Sequence, residues 1–165
     1  MNASTDKTGL RLDLQGWRLV TDSVMGGVSD GKLELIEQND TPCLRMTGEV
    51  STRNNGGFIQ AVCDLEDFDR STLASLRGVW LRVRGNVQHY NLHLRTRGLR
   101  FPWQAYRATF EVGPGWNLLQ IPFSTFAPYK VSTQLDRRKI SRIGIVAIGR
   151  DFSADICVSD IGFFR

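Results

Sequence analysis

The sequence predicts an all-β protein, an antiparallel β-sandwich or barrel of about ten short strands. Three observations predict it. Apolar and polar residues alternate with a period of two along most of the chain. Glycines, prolines and Asn/Asp pairs interrupt that alternation at short intervals, as at Asn39-Asp40, Asn54-Asn55 and Gly113-Pro114-Gly115. Helical periodicity is confined to two brief stretches, "RSTLASL" and "DRRKIS". Several short strands separated by such turn signals describe a sandwich or barrel.

The elements follow in order. "KLELIE" sets Leu33 and Leu35 against charges, and "CLRMTGEVS" sets Leu44 and Met46 against Arg45 and Thr47. "GFIQAVCDL" is more evenly apolar and reads as a buried strand. "GVWLRVRG" turns Val79, Leu81 and Val83 inward. "QHYNLHLRTR" does the same with Tyr90, Leu92 and Leu94. "QAYRATFEV" gives Tyr106 and Phe110 to the core; "WNLLQIPF", "ISRIGIVAIG" and "DICVSDIGFF" complete the set. No repeat or linker divides the chain. One domain is expected over residues 9–165, after a loose N-terminal segment, 1–8.

The 165 residues suffice for one domain with a real core. The net charge of +4 is spread along the chain, with one dense basic run, "DRRKISR". No nucleic-acid motif accompanies it, so a solvated surface is the expectation. Cys43, Cys63 and Cys157 are odd in number and widely spaced. That pattern argues against a disulfide framework or a zinc site and for buried thiols. The N-terminal stretch lacks the apolar region of a signal peptide and no run reaches membrane-spanning length. The expected setting is cytoplasmic.

Four stretches carry candidate site residues. In "DSVMGGVSDG", Gly26 and Gly27 permit a tight loop, Asp22 can bind local amides, and Met25 can plug the core. Exposed amides of the two glycines would alternatively line a ligand or partner pocket. The stretch is neither a P-loop nor a dinucleotide fingerprint. In "STRNNGGFIQ", Asn55 and its glycines turn the chain into a strand starting at Phe58. In "HYNLHLRTR", His89, Asn91, His93, Arg95 and Arg97 should share one face of a strand and could grip hydroxyls or a carboxylate. In "FPWQAYRATF", Arg107 lies opposite the core, and Trp103, beside a proline, is the tryptophan expected to be exposed. Carboxylates are scattered and no motif links a nucleophile to a base. Catalysis is therefore not expected, an enzyme built on His93 being the remote alternative. No metal or cofactor is expected; Asp155 and Asp160 are the weak candidates for a calcium ion.

In order and spacing, "GWRLVTDSVMGGVSDGKL", "GEVSTRNNGGFIQAV", "GVWLRVRGNVQHYNLHLRT", "YRATFEV", "GWNLLQIPFSTFAP" and "RIGIVAIGRDFSADICVSDIGFF" resemble the complex I intermediate-associated protein family. The resemblance runs from Trp17 to Phe164. It implies a galactose-binding-like jelly roll, related in fold to carbohydrate-binding modules. It also implies a non-catalytic assembly factor that holds intermediates of respiratory complex I and so recognises a protein client. Related domains are fused to dehydrogenase-like domains in plants and algae, and short stand-alone members occur in bacteria. This sequence departs from the family at Asn86, where an aspartate is frequent. The residues expected to meet a partner are Asp22, Met25, Gly26, Gly27, Asn55, Asn91, His93, Arg95, Trp103 and Arg107. The alternative is a carbohydrate held on the same face.

Overall fold

The computed structural model describes residues 3–6, 9–65 and 68–165, with the side chains of 3–6 and 55 outside the description. Among the described residues thirteen strands form two antiparallel sheets, so the expected sandwich holds with more strands than the alternation alone resolves. The strands are β1 (Ala3–Asp6), β2 (Gly9–Leu12), β3 (Arg18–Thr21), β4 (Asp30–Gln38), β5 (Thr41–Val50), β6 (Phe58–Asp64) and β7 (Gly78–Gly85). After them come β8 (Gln88–Thr96), β9 (Ala105–Val112), β10 (Asn117–Pro122), β11 (Ala127–Tyr129), β12 (Ile140–Ile148) and β13 (Phe152–Phe164). The two brief helical stretches are α1 (Arg70–Ala74), capped by Asp69, and a single turn at Arg137–Lys139.

The seven-stranded sheet is organised by β13. On one side β7 pairs along Ile156–Phe164; on the other β5 takes Phe152–Val158 and β2 takes Gly162–Phe164. β10 extends the sheet beyond β7, β4 beyond β5, and β1 beyond β2. Within the N-terminal stretch, β1 pairs with β2. The six-stranded sheet runs β11-β9-β8-β12-β6-β3.

The core lies between the sheets, and the period of two fills it. β8 contributes Tyr90, Leu92 and Leu94, each 0% exposed, and β12 contributes Ile143, Ile145 and Ala147. Facing them are Val79, Leu81 and Val83 of β7 and Ile156 and Val158 of β13. Past a register shift between Val158 and Asp160, the inward residues of β13 become Ile161 and Phe163. A bulge of this kind moves the buried set from one parity to the other. All three cysteines are buried, and burial pushes the Cys63 and Cys157 thiols up to about 11.

One correction concerns the polar row. Arg97 does not share the face of His93, because β8 ends at Thr96. Arg97 lies in the following turn, where its N–H donates to the Lys139 carbonyl.

Candidate functional site

The two glycine loops meet at one buried carboxylate. Asp22 opens a single helical turn, Asp22–Met25, and is 0% exposed. Its Oδ1 accepts the Ser29 N–H at 3.0 Å. Its Oδ2 accepts the Ser29 hydroxyl at 2.5 Å, the Gly57 N–H at 2.5 Å and the Phe58 N–H at 3.2 Å. Burial alone would raise its pKa, but these bonds together outweigh burial and hold the carboxyl below its ordinary value. The glycines are required because of this carboxylate. A Cβ on Gly27 would stand 2.4 Å from Asp22 Cγ, and one on Gly56 would stand 2.5 Å from Oδ2.

This geometry corrects two expectations. Asp22 faces inward and presents no surface to a partner. The amides of Gly26 and Gly27 are not offered to a pocket either: they donate to the carbonyls of Ser23 and Asp22, closing the turn. Gly26, at φ +84°, supplies the left-handed residue that ends it. What the turn projects is Val24 and Met25, 66% and 39% exposed. Met25 is therefore a surface residue and not a core plug.

Those side chains form one wall of a groove on the outer face of the six-stranded sheet. The groove joins a cavity of about 180 Å³ to a neighbouring one of about 80 Å³; Met25, Phe58, Gln60, His93, Pro102 and Trp103 line both. Its floor is a second, smaller apolar layer outside the core: Val62 of β6 and Val146 of β12 are each 1% exposed. Gly144 of β12 lies in register with Val62 of β6 on one side and His93 of β8 on the other. A central-strand glycine leaves this part of the floor without a side chain and allows close approach from above. No aspartate or glutamate lines either cavity among the described residues.

The opposite wall is the 101–104 loop with the end of β11. Arg95 holds the loop: its Nη1 donates to the carbonyls of Phe101, Pro102 and Gln104 at 2.9, 3.2 and 2.6 Å. Gln104 ties it further, accepting the N–H groups of Arg100 and Phe101 and donating to the Lys130 carbonyl. On this support the Trp103 ring is stacked against Phe101, with centroids 4.7 Å apart and planes 6° apart. Trp103 is 45% exposed, as expected. Arg95 thus lines the smaller cavity with its Nη1 engaged by the loop.

His93 and Arg107 are cross-strand neighbours on β8 and β9. Arg107 Nε donates to His93 Nε2 at 2.9 Å, and its guanidinium lies 3.7 Å over the Tyr129 ring. Since a guanidinium N–H can only donate, His93 Nε2 must be the acceptor and the ring proton sits on Nδ1. Burial, reinforced by the charges of Arg107 and Arg95, lowers the His93 pKa to about 3. The imidazole is neutral at physiological pH and its lone pair is engaged. Arg107 Nη2 is buried with no acceptor among the described residues.

Of the expected residues, Met25, His93, Arg95 and Trp103 are brought together in the groove, with Arg107 behind Tyr129. Asn91 lies farther along β8, 8% exposed, its Oδ1 accepting the Thr109 hydroxyl. Asn55 belongs to the Arg53–Asn55 turn before Phe58, and its side chain is outside the described residues. Asp155 and Asp160 are paired with Arg45 and Arg11, which occupies the carboxylates considered for a cation. Sequence reasoning missed Gln60, Tyr129, Lys130 and Gly144. Gln60 carried a signal, as the one polar side chain within an apolar run; Tyr129 and Lys130 carried none.

No curated protein matches the chain in sequence. Among solved structures, it is similar to the family 11 carbohydrate-binding module from Clostridium thermocellum, solved in complex with a beta-1,3-1,4-mixed-linked tetrasaccharide. The TM-score is 0.75 at 15% identity, covering 93% of this chain and 94% of that one. The family 30 carbohydrate-binding module of a cellulosomal cellulase of Clostridium thermocellum gives a TM-score of 0.55 at 14% identity, over 78% of this chain and 80% of that one. At such identities the likeness is one of fold, and it identifies the sandwich as a galactose-binding-like jelly roll. The family model of complex I intermediate-associated protein 30 (CIA30) matches residues 4–156, taking in the Asp22 loops and every strand that floors the groove, and the chain belongs to that family.

Proposed function

We propose that this chain is a non-catalytic binding protein of assembly-factor type that holds a segment of a protein client in the groove. One observation carries the reading. Of eight large apolar side chains exposed among the described residues, Val24 and Met25 stand on one wall of the groove and Phe101 and Trp103 on the other. Exposed apolar side chains gathered around a depression mark an interaction site, whereas scattered ones need no explanation. The cavities are small, below the usual size of a drug-like ligand site but adequate for an anchoring side chain. Membership of a family named for association with complex I intermediates supports a client of that kind.

The chemistry of the groove supports a non-catalytic role. Glycoside hydrolysis by paired carboxylates has no acid here among the described residues. The expectation of a His93 base meets a nitrogen lone pair already engaged by Arg107. The test is photo-crosslinking in cells, with the photoreactive residue placed at Val24 or at Leu118 on the other sheet. A discrete protein adduct at position 24 and none at 118 is expected; equal labelling at both removes the groove from consideration.

A second reading, a carbohydrate held in the same groove, is favoured by Trp103 and Tyr129 with Gln60 and His93 between them. Aromatic faces beside polar edges suit sugar rings. A saturable rise in melting temperature with one soluble oligosaccharide, lost in Trp103→Ala, would replace the protein reading.

A further inference from the structure

Resting on the reading of the groove as a site for a protein segment, we infer that it selects an acidic one: a large apolar side chain lodged between Met25 and Trp103, with a carboxylate beside it held by His93 and Lys130. Three observations point there. First, the groove is without acid among the described residues, in a chain that carries 17 aspartates and glutamates. Its cations and fixed donors are therefore not neutralised from within.

Second, one cation lining the groove, Lys130, and one directly behind it, Arg107, have no anionic partner among the described residues. Arg142 is paired with Asp64, and Arg95 is engaged with three carbonyls. The Lys130 ammonium makes only a cation–π contact with Tyr129 among the described residues, at 5.3 Å. Arg107 Nη2 is one of two buried side-chain polar atoms without a partner among the described residues. Native structures rarely leave such a donor unmet, and an uncompensated guanidinium beside a cavity sets up a positive potential there.

Third, His93 has a fixed polarity toward the groove. With Nε2 occupied by Arg107, its Nδ1–H has no acceptor among the described residues, and the ring lines both cavities. It can give a hydrogen bond to a ligand and cannot accept one. Neutral sugar hydroxyls donate as well as accept, and the linings offer two side-chain carbonyls among the described residues, Gln60 and Gln104, the second already accepting from Arg100 and Phe101. A carboxylate only accepts, which matches the donors present.

The test uses the full chain, labelled with nitrogen-15, and three acetylated, amidated pentapeptides: Gly-Asp-Phe-Asp-Gly and its Asn and Lys counterparts. Amide spectra are followed to 10 mM peptide, with the Trp103 indole N–H and the Gly144 amide as reporters. A fourth peptide, Gly-Asn-Phe with a free C-terminal carboxylate, distinguishes a chain terminus from an acidic side chain as the source. The expected result is saturable shifts with the Asp peptide, at least about tenfold weaker with the Asn peptide and absent with the Lys peptide. They should weaken between 50 and 500 mM salt and in Lys130→Gln and His93→Gln, but not in Lys139→Gln. Equal binding of Asp and Asn peptides overturns the acidic preference and leaves the protein-segment reading standing. Shifts from an oligogalacturonate, with none from any peptide, overturn both. No shift from either acidic peptide at 10 mM overturns the inference.

Discussion

Replacing Asp22 by Asn tests whether one carboxylate joins the two glycine loops. The substitution preserves shape and removes the charge. In the native protein four donors converge on the two oxygens, three of them on Oδ2. Asn does least harm with its NH₂ in the Oδ1 position, where it meets the Ser29 N–H donor to donor. One charge-assisted bond is then lost outright, at about 1.5–3 kcal/mol, and three are weakened by loss of charge. The sum is about 2–4 kcal/mol, which for a chain of this size lowers the melting temperature by about 5–15 °C. Urea unfolding followed by tryptophan fluorescence measures it, with an unchanged slope required for a change in stability alone. A companion cycle uses Gly27→Ala, whose Cβ would meet Asp22 Cγ at 2.4 Å. Gly27→Ala should cost less in an Asp22→Ala background than in the wild type, since the two nearest clashing atoms, Cγ at 2.4 Å and Oδ1 at 2.6 Å, are gone and only Cβ at 2.8 Å remains. A loss below about 1 kcal/mol for Asp22→Asn, or strict additivity in the cycle, would refute the reasoning.

Three further outcomes are expected. Asn86 accepts the Tyr90 hydroxyl at 2.6 Å and donates to the Ser153 carbonyl at 2.8 Å, and a carboxylate cannot do the second. Asn86→Asp should therefore cost about 1–2 kcal/mol at pH 7, a gap that narrows as the carboxyl is protonated in acid; equal urea midpoints at pH 7 would show the second bond to be immaterial. The His93 pKa falls from 6.5 to about 3 on folding, so between those values the unfolded chain binds the extra proton. Stability should then decline as pH falls through that window, by up to about 1.4 kcal/mol per unit, and His93→Gln, which keeps an acceptor for Arg107, should flatten the decline between pH 6.5 and 4. Superimposable profiles for the two proteins would contradict this. Arg95→Ala releases the 101–104 loop from its three carbonyl contacts, so trypsin should cleave after Arg100 faster than in the wild type. An unchanged cleavage rate would mean that Gln104 alone holds the loop.

Much of the fold is legible because burial and pleat share a period. Tyr90, Leu92 and Leu94 can be assigned to the core from spacing alone, and so can the opposite placement of His93 and Arg107. The pattern fails where geometry breaks the period. In β13 the shift near Asp160 moves the buried set from even to odd positions, and the segment reads as an indistinct apolar run. The site was less legible for another reason. Its residues come from β6, β8, β12, the Asp22–Met25 turn, the 101–104 loop and the end of β11, which only the tertiary pairing brings together. The glycine pairs signalled tight loops, but not that one aspartate serves both of them. Sequence offers no sign of distances such as the 35 positions between Asp22 and Gly57 being closed by a hydrogen bond.

The placement of β13 bears on how the protein is made. Residues 152–164 follow every strand they join, and they separate β7 from β5 and β2 in the seven-stranded sheet. During synthesis those strands emerge first and wait with unpaired edges. Long loops must close before their contacts form, which makes such a topology slow to fold and its nascent edges prone to association. A ribosome stalled before residue 152 would hold a chain with its core open along that sheet, and the native sandwich would close only once Phe164 had cleared the exit tunnel.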